Sequence, residues 1–284
     1  MSKKQQPRPP AWKRAIVKGV RATPLGKSDA PSGGAVRSRY DQLQPLPEAP
    51  PDWSVAPPDF VIIGAQKSGT TWWQGLMEGH LEIHRPHRQR RELHFFDHFW
   101  DRWPSDEQFE LYQQYFPRPG GSLVGEKTPG YLYQPWVPPM LRHVAPDTKL
   151  IVLMRDPVER YRSGVGQWQK HKERRGKRLN LWAGRKDAYA RSFYAFALRP
   201  YVEAYGLDRL LVLQFEKCLQ DPAAEYQRTL EFLELDEDDP PSTDFRISVP
   251  DNLPVIIRSR MGPISVRDLQ ADLQITTVQS PITL

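Results

Sequence analysis

The chain carries a single cysteine, Cys218, in 284 residues. No internal disulfide can form, the sequence is compatible with a reducing compartment, and a cytoplasmic location is the expectation. Cys218 follows an apolar run and reads as a small packing residue rather than a nucleophile. No apolar run reaches the roughly 18 residues that a membrane-spanning helix requires, and no short apolar core with a cleavage site marks a secretory signal. Excess charge is also missing from the body of the chain. The net charge is +6, but residues 1–58 hold ten Lys/Arg against four Asp/Glu and account for all of it. Residues 59–284 are neutral as a whole, which argues against a nucleic-acid interface.

Proline, by contrast, is abundant, and much of it lies in residues 1–58 among Ser, Gly and basic side chains. So few apolar groups cannot offset the conformational entropy of ordering, so a disordered basic tail is expected there, with the folded domain starting near Asp59 and running to 284. Within the tail, Trp12, Ile16 and Val20 recur at helical spacing among Lys13, Arg14, Lys18 and Arg21. That pattern fits either a solvated tail with stray apolar residues or a short basic helix in weak contact with an anionic membrane surface.

The first chemistry-bearing stretch is Phe60-Val61-Ile62-Ile63-Gly64-Ala65-Gln66-Lys67-Ser68-Gly69-Thr70-Thr71. A buried strand runs into a Gly/Ser/Thr loop with one lysine, and a helix of about 69–79 follows. Unpaired amide N–H groups and the positive end of the helix dipole converge there, which makes an anion cradle for phosphate or sulfate. The spacing is not that of the magnesium-dependent nucleotide loop, G-x-x-x-x-G-K-[ST], because Lys67 precedes the second glycine, Gly69. The cradle suits a nucleotide held without metal.

Two further continuous-apolar strands are legible at 149–154 and 210–215, with a short strand leading into Gly125. Helices are expected at about 106–116, 135–145, 157–170, 186–205 (interrupted at Pro200) and 222–234. Strands that are apolar on both faces and alternate with helices indicate a parallel sheet covered on both sides. Ligands then sit at the C-terminal ends of the strands, which puts Lys67 and Arg155 on one rim. Arg155 offers a guanidinium for a second anion, with Ser163 two turns into the following helix. Spacing leaves a second reading open, in which Arg155 only pairs with Asp156 or Glu159. The basic run 169–178 reads equally as a solvated loop or as an electropositive lip for an anionic acceptor.

Four stretches together resemble the sulfotransferase family that uses 3′-phosphoadenylyl sulfate (PAPS), in its heparan sulfate and related bacterial branch. They are residues 63–71, Glu92-Leu93-His94-Phe95-Phe96-Asp97, Glu126-Lys127-Thr128-Pro129-Gly130-Tyr131, and 155–163. The resemblance covers about 59–235 and fades after about 240. It implies an α/β three-layer sandwich around a central parallel sheet, the P-loop nucleotide-hydrolase-like sulfotransferase fold. It also implies that Lys67, Ser68, Gly69, Thr70 and Thr71 hold the 5′-phosphosulfate of PAPS, and that Arg155 and Ser163 hold its 3′-phosphate. Glu92 would be the catalytic base, Lys127 would stand near the transferred group, and Tyr194 would match a helix-start tyrosine at the donor site. The acceptor implied is a small molecule or glycan bearing a hydroxyl or amine.

The chemistry agrees independently. In-line sulfuryl transfer builds charge on the bridging leaving oxygen, which Lys67 and the loop amides can neutralise. The acceptor must lose a proton, and Glu92 and His94, two apart, both qualify as base by spacing. The resemblance favours Glu92, with His94 in support. The competing functions are a P-loop kinase and a non-catalytic nucleotide-binding relative of the same fold. The latter is suggested by the C-terminus, where only Arg258, Arg260 and Gly262 match the family's closing loop and 275–284 lacks helical periodicity.

Overall fold

The computed structural model describes residues 46, 48–85, 92–175 and 181–235, with side chains of 170–175 and 181 left aside. The tail up to residue 45, the 176–178 end of the basic run and everything after 235, including Arg258, Arg260 and Gly262, lie outside the described residues. The basic run as far as Arg175 is helical backbone.

The sheet is built from strands whose residues are apolar at nearly every position. Strand β2 (Phe60–Gly64), β5 (Leu123–Lys127), β6 (Lys149–Met154), β7 (Leu210–Gln214) and the short β3 (Ile83–His84) form a five-stranded sheet in the order β3-β5-β2-β6-β7. Every pairing in it is parallel. Alternation along each strand sends side chains to opposite faces. On one face Phe60, Ile62, Ile151, Leu153, Leu211 and Leu213 pack against Trp73, Leu76 and Met77 of helix α1 (Thr70–Met77). Tyr226, Leu230 and Leu233 of helix α8 (Pro222–Leu233) complete that layer. On the other face Val61, Ile63, Leu150 and Val152 meet helix α3 (Val137–Val144), helix α6 (Tyr194–Tyr205) and an aromatic cluster around Phe95, Phe96, Tyr112 and Tyr131. Each such side chain, fully buried, contributes about 1.5–3 kcal/mol. The three-layer sandwich expected from the sequence is thus observed.

Three boundaries differ from expectation. A strand precedes Asp59: β1 (Trp53–Val55) pairs antiparallel with strand β4 (Pro117–Pro119), and Arg118 ties that corner to Asp59 at 3.2 Å. Prolines on a two-stranded edge carry little strand signal, which is why the element is silent in the sequence. Helix α4 runs Pro157–Arg175, past the expected end at 170. Its start is fixed by Asp156, whose Oδ1 accepts from Glu159 N at 2.8 Å.

The third difference concerns the stretch 186–205. It breaks at 191–193, between helix α5 (Leu181–Ala190) and α6, whereas Pro200 lies inside α6. Arg160 explains the break. Its side chain is 1% exposed. Its guanidinium donates to the Ala188 carbonyl and, at 3.0–3.1 Å, to Ser192 Oγ. Ser192 Oγ in turn donates to Pro157 O at 3.1 Å. An α5 carbonyl that would continue the helical ladder is taken by an arginine from α4, so the chain turns there.

Candidate active site

The loop between β2 and α1 makes its sharp turn with two residues in the left-handed region, Lys67 at φ 72° and Gly69 at φ 81°. Gly69 is the N-cap of α1. A Cβ there would lie 2.5 Å from Cε2 of Phe215, so the turn needs glycine for space as well as for backbone freedom. The first amides of α1 therefore face a cleft of about 370 Å³. Lys67, Thr70 and Thr71 line it from the loop, and Arg155, Ser163 and Gln167 from β6 and α4. The rim predicted from the strand ends is the rim observed.

Arg155 is 8% exposed. Its Nη1 donates to Lys67 O at 3.4 Å and its guanidinium carbon stands 5.3 Å from the Phe215 ring centroid. Glu159 is a loose partner at 3.8 Å, and Asp156 is taken up capping α4, so an ion pair alone does not account for this arginine. Arg155 Nε is buried with no hydrogen-bond partner, and the wholly buried Ser68 hydroxyl, beside Tyr194, closes no hydrogen bond of good geometry. Unsatisfied buried donors on a cationic rim fit a multiply charged anion such as a nucleotide phosphate.

At the other end of the cleft stands Glu92, about a third exposed. One carboxylate oxygen is 3.2 Å from Lys127 Nζ, and the other is 3.0 Å from His94 Nε2. His94 Nδ1 lies 2.8 Å from Asp97 Oδ2. Lys127 is 1% exposed and donates to Thr71 Oγ1 at 2.9 Å, which joins the two ends of the cleft. Burial works against ionisation of Glu92, but the hydrogen bonds from His94 and Lys127 outweigh it and hold the carboxyl below its ordinary range. Hydrogen bonds to Asp97 and then Glu92 outweigh desolvation at His94 and push its imidazole up to about 9. With His94 raised and Glu92 lowered, the pair favours the imidazolium–carboxylate form, in which Glu92 is the partner able to accept a proton.

The loop bearing these groups is fastened to the core by its backbone. Phe95 N and Phe96 N both donate to the buried Tyr131 hydroxyl, at 2.9 and 3.3 Å. His94 N donates to Thr128 Oγ1 at 3.3 Å, and Thr128 donates to Glu126 at 2.8 Å. Glu126 and Lys127 are neighbours in sequence but face opposite sides of β5. Glu126 takes a 2.6 Å hydrogen bond from Tyr112 in the aromatic layer, and Lys127 turns toward α1.

Of the predicted site residues, Ser68, His94 and Lys127 do not line this cleft themselves, and neither does Tyr194. It heads α6, and its hydroxyl donates to Arg155 O at 2.9 Å, so it holds the backbone of a cleft residue from behind. Sequence reasoning passed over Gln66, Gln167 and Phe215. Gln167 was within reach, since it follows Ser163 by one helical turn. Asp97 was quoted only as part of a motif, though it stands three residues from His94.

A model of the family described as "Sulfotransferase domain" matches residues 57–247. Heparan sulfate glucosamine 3-O-sulfotransferase 3A1 of Mus musculus is 30% identical over 222 residues, covering 74% of this chain and 54% of that protein. Membrane-associated sulfotransferase kil1 of Dictyostelium discoideum is 34% identical over 106 residues, covering 36% of this chain and 21% of that protein. The chain spans about half the length of the heparan sulfate relatives it matches. Among solved structures, a sulfotransferase from Alicyclobacillus acidocaldarius shares the fold at a TM-score of 0.54 and 24% identity, covering 78% of this chain and 92% of that one.

Proposed function

The chain belongs to the sulfotransferase domain family, and on that premise we propose that it transfers a sulfuryl group from PAPS to a hydroxyl of a carbohydrate-like acceptor. Family membership supersedes the kinase reading. The observation that carries the proposal is one cleft lined by an anion cradle at Lys67, a second cation at Arg155, and Glu92, whose carboxyl is held below its ordinary range.

PAPS, as co-substrate, supplies an activated sulfuryl group on a bridging phosphate oxygen. Lys67 and the amides leading α1 receive its phosphosulfate, and Arg155 with Ser163 the 3′-phosphate. Glu92 takes the proton of the acceptor hydroxyl as that oxygen bonds to sulfur. The bond from sulfur to the bridging oxygen breaks, and its electron pair leaves on adenosine 3′,5′-bisphosphate beside Lys67. A carboxylate held as low as Glu92 is ionised throughout the neutral range but is a weak base. The acceptor proton therefore departs only as the new O–S bond acidifies it. Lys127 and His94 orient the carboxylate and balance its charge, and Asp97 keeps His94 protonated.

The test is incubation of the full chain with sulfur-labelled PAPS and a panel of glycoside acceptors, following label transfer and adenosine 3′,5′-bisphosphate release. Label transfer that depends on Glu92 supports the reading. Tight adenosine 3′,5′-bisphosphate binding with no transfer to any acceptor would favour the non-catalytic relative instead.

A further inference from the structure

Beside the proposed base lies a small gap that none of the assigned roles uses. Gly130 is buried and adopts ordinary right-handed helical angles, φ −69° and ψ −28°, so its lack of a side chain is not a backbone requirement. The space is what distinguishes it. A Cβ built on Gly130 would have as its nearest neighbours Gln134 Nε2 and Gln66 Nε2, both at 3.9 Å, and His94 Cε1 at 4.0 Å. Two side-chain amides thus converge on one point against the imidazole that supports Glu92.

The orientation of the first amide is fixed. Arg191 Nη1 donates to Gln66 Oε1 at 3.1 Å, which leaves the Gln66 NH₂ group as the end that faces the gap. Arg191 is itself held by Asp187, with both carboxylate oxygens at 2.9 Å from Nε, and by the Tyr133 ring at 4.9 Å. The second amide has one unpartnered end, since Gln134 Oε1 is buried and accepts no hydrogen bond. No unbalanced charge faces the gap, because Arg191 is neutralised by Asp187, and His94 stands between Glu92 and Asp97. One fixed donor and one amide able to present either end suit a group that both accepts and donates. A hydroxyl does this, and a carboxylate or sulfate does not.

We propose that Gln66, Gln134 and the methyl-sized space over Gly130 form a niche for a neutral hydroxyl of the acceptor, next to the hydroxyl that is sulfated. This rests on the sulfotransferase reading above and gives the acceptor class as a polyol with a free vicinal hydroxyl. Arg191 acts as a positioning residue through Gln66.

Gly130→Ala is a clean probe, because the added methyl makes ordinary contacts and needs no unusual backbone angle. A panel of p-nitrophenyl glycosides with PAPS identifies the acceptor sulfated best. That acceptor is then compared with its analogue lacking the neighbouring hydroxyl, in wild type and in Gly130→Ala. The expectation is a fall in kcat/KM of about tenfold for the deoxy analogue in wild type and for the parent acceptor in Gly130→Ala. The two losses should not add, so the variant treats parent and deoxy acceptors alike. Binding of adenosine 3′,5′-bisphosphate should be unchanged. Losses that multiply, no loss in the variant, or an equal loss of bisphosphate binding would each overturn the niche while leaving the sulfotransferase reading intact. Absence of transfer by wild type to every glycoside overturns both.

Discussion

Lys127 Nζ stands between Thr71 Oγ1 at 2.9 Å and Glu92 Oε1 at 3.2 Å, so one buried ammonium joins the anion cradle to the base. A cation placed this way favours the ionised form of Glu92, and it registers the proposed base against the first turn of α1.

Glu92→Gln keeps the size of the side chain and removes its ability to take a proton. Turnover should fall by at least about 100-fold, with binding of adenosine 3′,5′-bisphosphate retained, as read by isothermal titration beside an activity assay. Near-full turnover would remove Glu92 from the mechanism.

The pH dependence of stability should carry the signature of His94. Its folded-state value is raised from 6.5 to about 9, so its contribution is fully present below about 6.5 and is lost as pH rises through about 9. Thermal melts should show Tm falling between pH 7 and 10 in the wild type, with a smaller fall in Asp97→Asn. Glu92 works in the opposite direction, since its lowered value adds stability above its ordinary range that disappears as the solution is acidified. Parallel melting curves for wild type and Asp97→Asn would contradict the His94–Asp97 pairing.

Arg155→Lys retains the charge but loses the planar fork. Adenosine 3′,5′-bisphosphate affinity should drop by about tenfold to 100-fold, because hydrogen bonds to charged groups contribute about 1.5–3 kcal/mol. Tyr194→Phe should have a smaller effect of the same sign, since it frees the Arg155 carbonyl without touching the cleft. A larger loss in Tyr194→Phe than in Arg155→Lys would mean that the tyrosine itself meets the donor.

Gly69→Ala should damage both folding and donor binding. A left-handed alanine costs about 1–2 kcal/mol, and the methyl would meet the Phe215 ring at 2.5 Å. Urea unfolding should register the first, and bisphosphate titration the second.

Ser192→Ala tests the helix break. Removing the hydroxyl strips Arg160 of one acceptor and should cost about 1–3 kcal/mol of stability with little change in donor affinity. Unchanged urea midpoints would show that Arg160 is satisfied without it.

The strands were legible because Phe60–Gly64, Lys149–Met154 and Leu210–Gln214 are apolar on both faces, a pattern that only a covered parallel sheet demands. From those strand ends Lys67 and Arg155 could be set on one rim. What periodicity does not encode is which polar side chains meet across the fold. Arg160 and Ser192, 32 residues apart, decide where α5 ends, and Gln66 and Arg191, 125 residues apart, decide which way an amide points. Nothing in the local sequence of either pair announces the other. The same limit applies to Tyr194, whose place at a helix start was anticipated but whose hydrogen bond to Arg155 O was not.

The order β3-β5-β2-β6-β7 carries a further consequence. β2 sits in the middle, with β6 and Arg155 on one flank and β5 and Lys127 on the other. On the proposed reading, the 3′-phosphate of the donor would be met from the β6 flank and the acceptor largely from the β5 flank. The loops beyond β5 and β3 can thus diversify while the donor half is left untouched. If that reading holds, a lineage could change the molecule it modifies mainly by altering one flank of the sheet, with the co-substrate still met through the other.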